Sequence, residues 1–171
     1  MRPWVLNQLI IISVFAFLVA NADSVEVESP NQVPKTTDLQ VLALKANQNK
    51  LPILIMYAAE HCEYCERLEE DLLGPMHKSG QYNDRIIIRK VMIDSIESIK
   101  DFAGESVDAE NFAFKQGVQV TPTLRFVDAS GKQLAPEMVG YNTPEMYAAY
   151  IENAIESSRK AIKEDQQGQR F

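Results

Sequence analysis

The chain is 171 residues long, 46% hydrophobic and acidic, with a formal net charge of -7. That length suits one domain with a real hydrophobic core and is too short for two comfortable ones. The acidic balance, with no basic patch suited to phosphate, excludes nucleic acid as an expected partner.

Residues 1–22 have the three parts of a signal peptide: Arg2 at a sparse positive end, an apolar run from Leu9 to Ala20, and the small-residue site Ala20-Asn21-Ala22. The apolar run falls short of the ~20 residues a spanning helix needs, so cleavage near Ala22 is expected rather than retention as an anchor. Cleavage leaves 149 of the 171 residues and, because Arg2 is the only charge lost, a net charge of -8. No cysteine follows the run, which excludes lipid attachment at a processed N-terminal cysteine. The mature chain is expected to be soluble and exported, either periplasmic or secreted.

Residues 23–36 read as a polar linker, with a short strand at 25–27 as an option. Thr37-Asp38-Leu39-Gln40 has the capping-box pattern, and Leu39, Leu42, Ala43 and Ala46 fall on one face of the helix that follows. Residues 52–57, Pro-Ile-Leu-Ile-Met-Tyr, read as a buried strand. Glu66, Leu68, Glu69 and Leu72 then mark an amphipathic helix stopped by Gly74-Pro75, which leaves His77 in a loop. Residues 85–93 predict a second strand, and 106–116 a helix with Phe112 inward and Gly117 as its stop. Residues 118–127 form a strand entered through Pro122, with a turn at 128–132 and a partner at 133–139, hence a β-hairpin. Thr143-Pro144 opens the last helix, with Met146, Tyr147, Tyr150, Ile151, Ala154 and Ile155 along one stripe. Residues 164–171 read as a flexible polar tail. The order helix, strand, helix, strand, helix, hairpin, helix predicts an α/β layer structure with helices covering a central sheet.

The chain's only two cysteines stand three apart in Cys62-Glu63-Tyr64-Cys65, at the junction of the buried strand and its helix. An exported protein normally uses cysteine to staple itself, and a core of this size can do without staples. The close pair therefore points to a reversible dithiol. A helix N-terminus at Cys62 favours a thiolate, the form that attacks disulfides, through unpaired N–H groups and the macrodipole. A zinc site would need two more ligands, and covalent haem attachment would need His where Glu66 stands. No metal and no cofactor beyond a Cys62–Cys65 disulfide is expected. His61 reads equally as a cation that tunes Cys62 and as a residue of a surface turn. Tyr64 reads as docking surface or simply as an exposed tyrosine. Glu63, Glu66, Glu69, Glu70 and Asp71 read most simply as a solvated helix face near the positive end of the dipole.

Over residues 37–157 the chain resembles the thioredoxin superfamily. The strand through Tyr57, followed by Ala59-Glu60-His61-Cys62-Glu63-Tyr64-Cys65, is similar to the family's strand and redox motif. Val120-Thr121-Pro122-Thr123 resembles its cis-proline loop, and Val139-Gly140 the glycine before its last helix. The signal peptide and the long segment at 94–117 make it most similar to exported bacterial thioredoxin-like proteins of the periplasm. The resemblance implies a three-layer α/β/α fold with a central mixed sheet of four to five strands, taken here as residues 37–163. It implies that Cys62 attacks a substrate disulfide and that the buried Cys65 resolves the mixed disulfide. It also implies that Thr121, ahead of Pro122 in cis, hydrogen-bonds an extended substrate chain.

The chain departs from the family pattern in two respects, ahead of the motif and around its cysteines. Cytoplasmic-type thioredoxins place a buried Asp where this chain has Met56, which puts the proton route to the resolving cysteine in question. His61 stands for the usual Trp, and Glu63-Tyr64 for Gly-Pro, so redox potential and partner choice do not transfer; His61, Glu63 and Tyr64 are the expected tuning residues. Each exposed carboxylate at ~7 Å opposes Cys62 ionisation by on the order of half a kcal/mol. Separating a strong reductant from a strong oxidant takes roughly 150 mV, about 7 kcal/mol for two electrons. These charges cannot set the direction alone; with no inter-cysteine His, they tilt the reading toward a thiol-disulfide oxidoreductase that reduces protein disulfides, expected as a monomer supplied with electrons by a membrane partner. The alternatives are a disulfide oxidant or isomerase, and a binding module whose cysteines are incidental.

Overall fold

A computed structural model describes residues 31–168. Its elements run α1 (Leu39–Asn49), β1 (Ile53–Ala58), α2 (Glu63–Leu68), a π-helical turn (Glu69–Leu73), α3 (Gly74–Ser79), β2 (Ile87–Met92), β3 (Ile99–Lys100), β4 (Ser106–Val107), α4 (Ala109–Lys115), β5 (Thr123–Val127), β6 (Met138–Val139) and α5 (Pro144–Gly168). The segments read as a signal peptide and as a strand at 25–27 lie outside the described residues.

Alternation along β1 organises the layers. All six of its residues are buried. Ile53, Ile55 and Tyr57 join one apolar cluster, with Leu39, Leu42 and Ala46 of α1 and Phe112 of α4. Leu54, Met56 and Ala58 join a second cluster, with Cys65 and Leu68 of α2 and Tyr147, Ile151 and Ile155 of α5. A strand buried on both faces needs helices on each side. The sheet accordingly has the order β2-β1-β5-β6. Strand β1 pairs parallel with β2 and antiparallel with β5, and β6 returns antiparallel to β5. The architecture is the expected three-layer α/β fold with a mixed sheet of four strands.

Several local expectations change. Asp38, not Thr37, caps α1, accepting from the Val41 amide at 2.9 Å, while Gln40 reaches across to the Ala103 carbonyl instead of back to the cap. Residues 106–107 pair with 99–100 as a two-stranded sheet, so the helix there begins only at Ala109, capped by Asp108. The hairpin's first strand begins at Thr123 rather than at 118, because Pro122 has no amide to give a ladder. Its partner shrinks to Met138–Val139, joined by an isolated bridge between Val127 and Gln133. Met146 and Tyr150 are exposed, and the buried stripe of α5 is Tyr147, Ile151, Ala154, Ile155 and Ser158. That helix continues to Gly168, through most of the stretch read as tail. Within the stretch read as linker, Val33 is fully buried and Lys35 bridges to Lys90 of β2.

Gly74-Pro75 does not stop the cysteine helix. The backbone stays helical from Glu63 to Ser79 because the turn at Glu69–Leu73 widens, with the Gly74 amide bonding the Glu69 carbonyl five residues back. Such a bulge spares the carbonyl four residues before a proline the clash a regular helix would impose. His77 therefore sits on α3, half-buried. Burial, followed by the nearby cations Arg89 and Lys45, lowers its pKa.

Candidate active site

The cysteines lie where β1 hands over to α2. His61 takes a left-handed backbone conformation, φ 56°, that turns the chain out of the strand, and Cys62 follows as the N-cap of α2. The Glu60 amide bonds the Asp94 carboxylate at 2.7 Å, tying this turn to the end of β2. Cys62 and Cys65 are joined as a disulfide. Cys62 is half-buried, whereas Cys65 is only 3% exposed and packs in the core cluster with Met56 and Leu68. The two sulfurs are thus unequal. Only Cys62 can be approached by a second protein chain.

Two donors point at the outer sulfur. The Cys65 amide reaches Cys62 Sγ at 3.3 Å and the Thr121 hydroxyl reaches it at 3.4 Å. In the reduced protein these donors, with the positive end of the helix, favour charge on Cys62. The Thr121–Pro122 peptide is cis, and Pro122 is buried while Thr121 is half-exposed beside the sulfur.

A chain of hydrogen bonds from α5 supports this loop. The Gly140 amide donates to the Pro122 carbonyl at 2.8 Å, and the Tyr147 hydroxyl donates to the Gly140 carbonyl at 2.6 Å. Burial pushes the Tyr147 phenol up to about 12, with Tyr141 adding to the shift, so it stays a neutral donor. Tyr147→Phe keeps the ring against Tyr141 but strands the carbonyl. It should cost about 1–2 kcal/mol, seen as a lowered urea midpoint with an unchanged slope.

The remaining sequence candidates divide. Glu63 and Glu66 stand exposed in the first turn of α2, and Tyr64 beside them is 55% exposed. Val120, ahead of the cis-proline loop, is also exposed. Asp71 accepts from the Tyr141 hydroxyl at 3.0 Å. Glu69 is the exception to the solvated acidic face. It is 5% exposed and pairs at 2.5 Å with Lys90, itself 6% exposed. Its second oxygen accepts from the Val33 amide at 3.1 Å. The pair was missed because the helical pattern puts Glu69 among other carboxylates. The available signal was Lys90, a cation on the same strand face as Ile88 in a strand rich in isoleucine. Among the described residues, no group of three or more His, Cys, Asp or Glu side chains is placed to hold a metal ion.

A cysteine pair at a strand-to-helix turn, one sulfur reachable and one buried, on a mixed sheet between helices, defines a thiol-disulfide oxidoreductase. A family model described as a thioredoxin-like domain matches residues 39–155, and the chain belongs to that family. Among solved structures, a mutant thioredoxin from Halobacterium salinarum NRC-1 aligns at 21% identity and a TM-score of 0.50, over 74% of this chain and 94% of that one. Mitochondrial thioredoxin 3 from Saccharomyces cerevisiae, in its oxidized form, aligns at 20% identity and a TM-score of 0.48, over 72% and 93%. At 21% identity the likeness to the Halobacterium protein concerns the fold alone. No curated protein matches the chain.

Proposed function

We propose that the chain is an exported reductase of protein disulfides, working as a monomer and recharged by a membrane electron-donor protein. The observation that tilts the direction toward reduction is the acidic first turn of α2. Glu63 and Glu66 flank the cysteines, and the helix's one cation, Arg67, lies in its last turn. Carboxylates beside a thiolate raise the free energy of the reduced pair, so it gives up its electrons more readily. Cys62 attacks the client disulfide, Cys65 closes the ring, and the client leaves as a dithiol. Thr121 and Pro122 present backbone to an extended client segment, with Tyr64 on the rim, and His61 sits next to the attacking sulfur. The signal-peptide pattern of residues 1–22 supports the periplasm or the exterior as the site of action. A reductase there needs electrons from across the membrane.

Equilibration of the purified protein with a glutathione buffer tests the direction. The expected potential lies near the thioredoxin range, about -270 mV, and below about -200 mV. A value near that of a strong oxidant, about -120 mV, would overturn the reductase reading in favour of an oxidant.

A further inference from the structure

We propose that Glu69 takes the proton from the buried Cys65 thiol and returns it, across a cavity that the two residues share. The inference rests on the disulfide-exchange reading of the cysteine pair and holds for either direction of electron flow.

Cys65 must lose a proton to attack and regain one when it is released, yet it is only 3% exposed. Its apolar neighbours Met56 and Leu68 offer no acceptor. Its other side opens on a cavity of about 340 Å³, lined also by Glu69 and Lys90. The Glu69 amide bonds the Cys65 carbonyl, so the two side chains stand one helical turn apart on the same face. Lys90 reaches the cavity from the sheet, where it lies opposite Met56 in the β1–β2 register.

The Glu69 carboxylate spends one oxygen on Lys90 and the other on the Val33 amide. A carboxylate has about four acceptor sites, so each oxygen keeps capacity for a water. The cavity is polar and roomy enough to hold waters that bridge to the thiol. The other titratable groups around it are Lys35 from the N-terminal segment, Glu60 and His61 from the turn before α2, and Glu66 and Glu70 on the same helical stretch. All five are exposed to solvent, and Lys90 as an ammonium has no lone pair to accept with. Glu69 is the buried acceptor. A buried ion pair is weak evidence for stability, since apolar residues of similar volume serve a core as well.

The step balances as follows. Cys62 thiolate attacks the client disulfide, forming a Cys62–client disulfide and releasing one client thiolate. The Cys65 proton passes through water to Glu69, and Cys65 thiolate attacks Cys62 Sγ, breaking the bond to the client and releasing its second thiolate. Two protein thiols are oxidised and one client disulfide is reduced. The proton on Glu69 leaves through the cavity to water or to a departing thiolate. Glu69 acts through water and is a positioning residue.

Stopped-flow reaction of the reduced protein with dithiobis-nitrobenzoate separates the two steps. The first chromophore released reports Cys62 and the second reports Cys65. Glu69→Gln should lower the ratio of second- to first-phase rate about tenfold or more at neutral pH, with the second phase recovering only as pH rises into the free-thiol range. The variant Glu69→Gln/Lys90→Met, which leaves no unpaired buried charge, should behave alike and covers the case in which Glu69→Gln alone does not fold. A wild-type ratio and pH profile in a folded variant would overturn the proposal, as would equal slowing of both phases. The reagent is not a client, so failure of the reductase reading would leave these phases unaffected and appear instead in the potential.

Discussion

Cys62→Ser should bring the reduction of a disulfide-bonded protein such as insulin down to the rate of dithiothreitol alone, while Cys65→Ser should stop the reaction after one bond. The asymmetry follows from burial. Cys62 caps α2 at the surface and receives donors from the Cys65 amide and the Thr121 hydroxyl, whereas Cys65 is enclosed by the core. A serine hydroxyl at Cys62 does not ionise near neutral pH and forms no disulfide, so no partial activity survives. At Cys65 the first attack remains possible, and the client stays attached through Cys62. Turnover then falls to the rate at which external thiol removes the client. Non-reducing electrophoresis of the two variants after mixing with oxidised client checks this: a client-sized adduct is expected in Cys65→Ser and none in Cys62→Ser.

Gly74→Ala should destabilise the protein by about 2–3 kcal/mol, read from the urea midpoint. The sign makes this informative, because replacing a glycine inside a helix by alanine ordinarily gains up to ~1 kcal/mol. Here a Cβ would fall 1.8 Å from the Asn31 carbonyl oxygen and 2.8 Å from that of Glu69. Both obstacles are backbone, so relief requires the segment at 31–36 to lift away or the widened turn to rearrange. Either movement disturbs the packing of Val33 and the bond from its amide to Glu69. The same substitution should therefore slow the Cys65 phase as well as lower stability.

What could be read from the chain and what could not divide by range. The cysteine turn, the inward stripe of α1 and the two-sided burial of β1 are encoded within a few residues, and periodicity and spacing carry them. Gly74 and Glu69 are different. Gly74-Pro75 is a helix stop by local rule, yet the bulged turn carries the helix through it, and the Asn31 carbonyl leaves no room there for a side chain. Glu69 looks like one more solvated carboxylate until Lys90, 21 residues on, is folded beside it. Asp38 caps the helix where the local pattern offered Thr37, and Gln40 bonds a carbonyl 63 residues away instead of the cap. Long-range backbone and charge contacts settled these positions, and no local pattern contains them.

The measurement that bears most directly on the central claim, exchange initiated at Cys62 and resolved at Cys65, is the alkylation rate of the single-cysteine variants Cys65→Ser and Cys62→Ser against pH. The account predicts that Cys62, alone in the first variant, reacts at least about tenfold faster at neutral pH and titrates below the ordinary thiol value of ~8.5. Equal rates, or a faster Cys65, would contradict it.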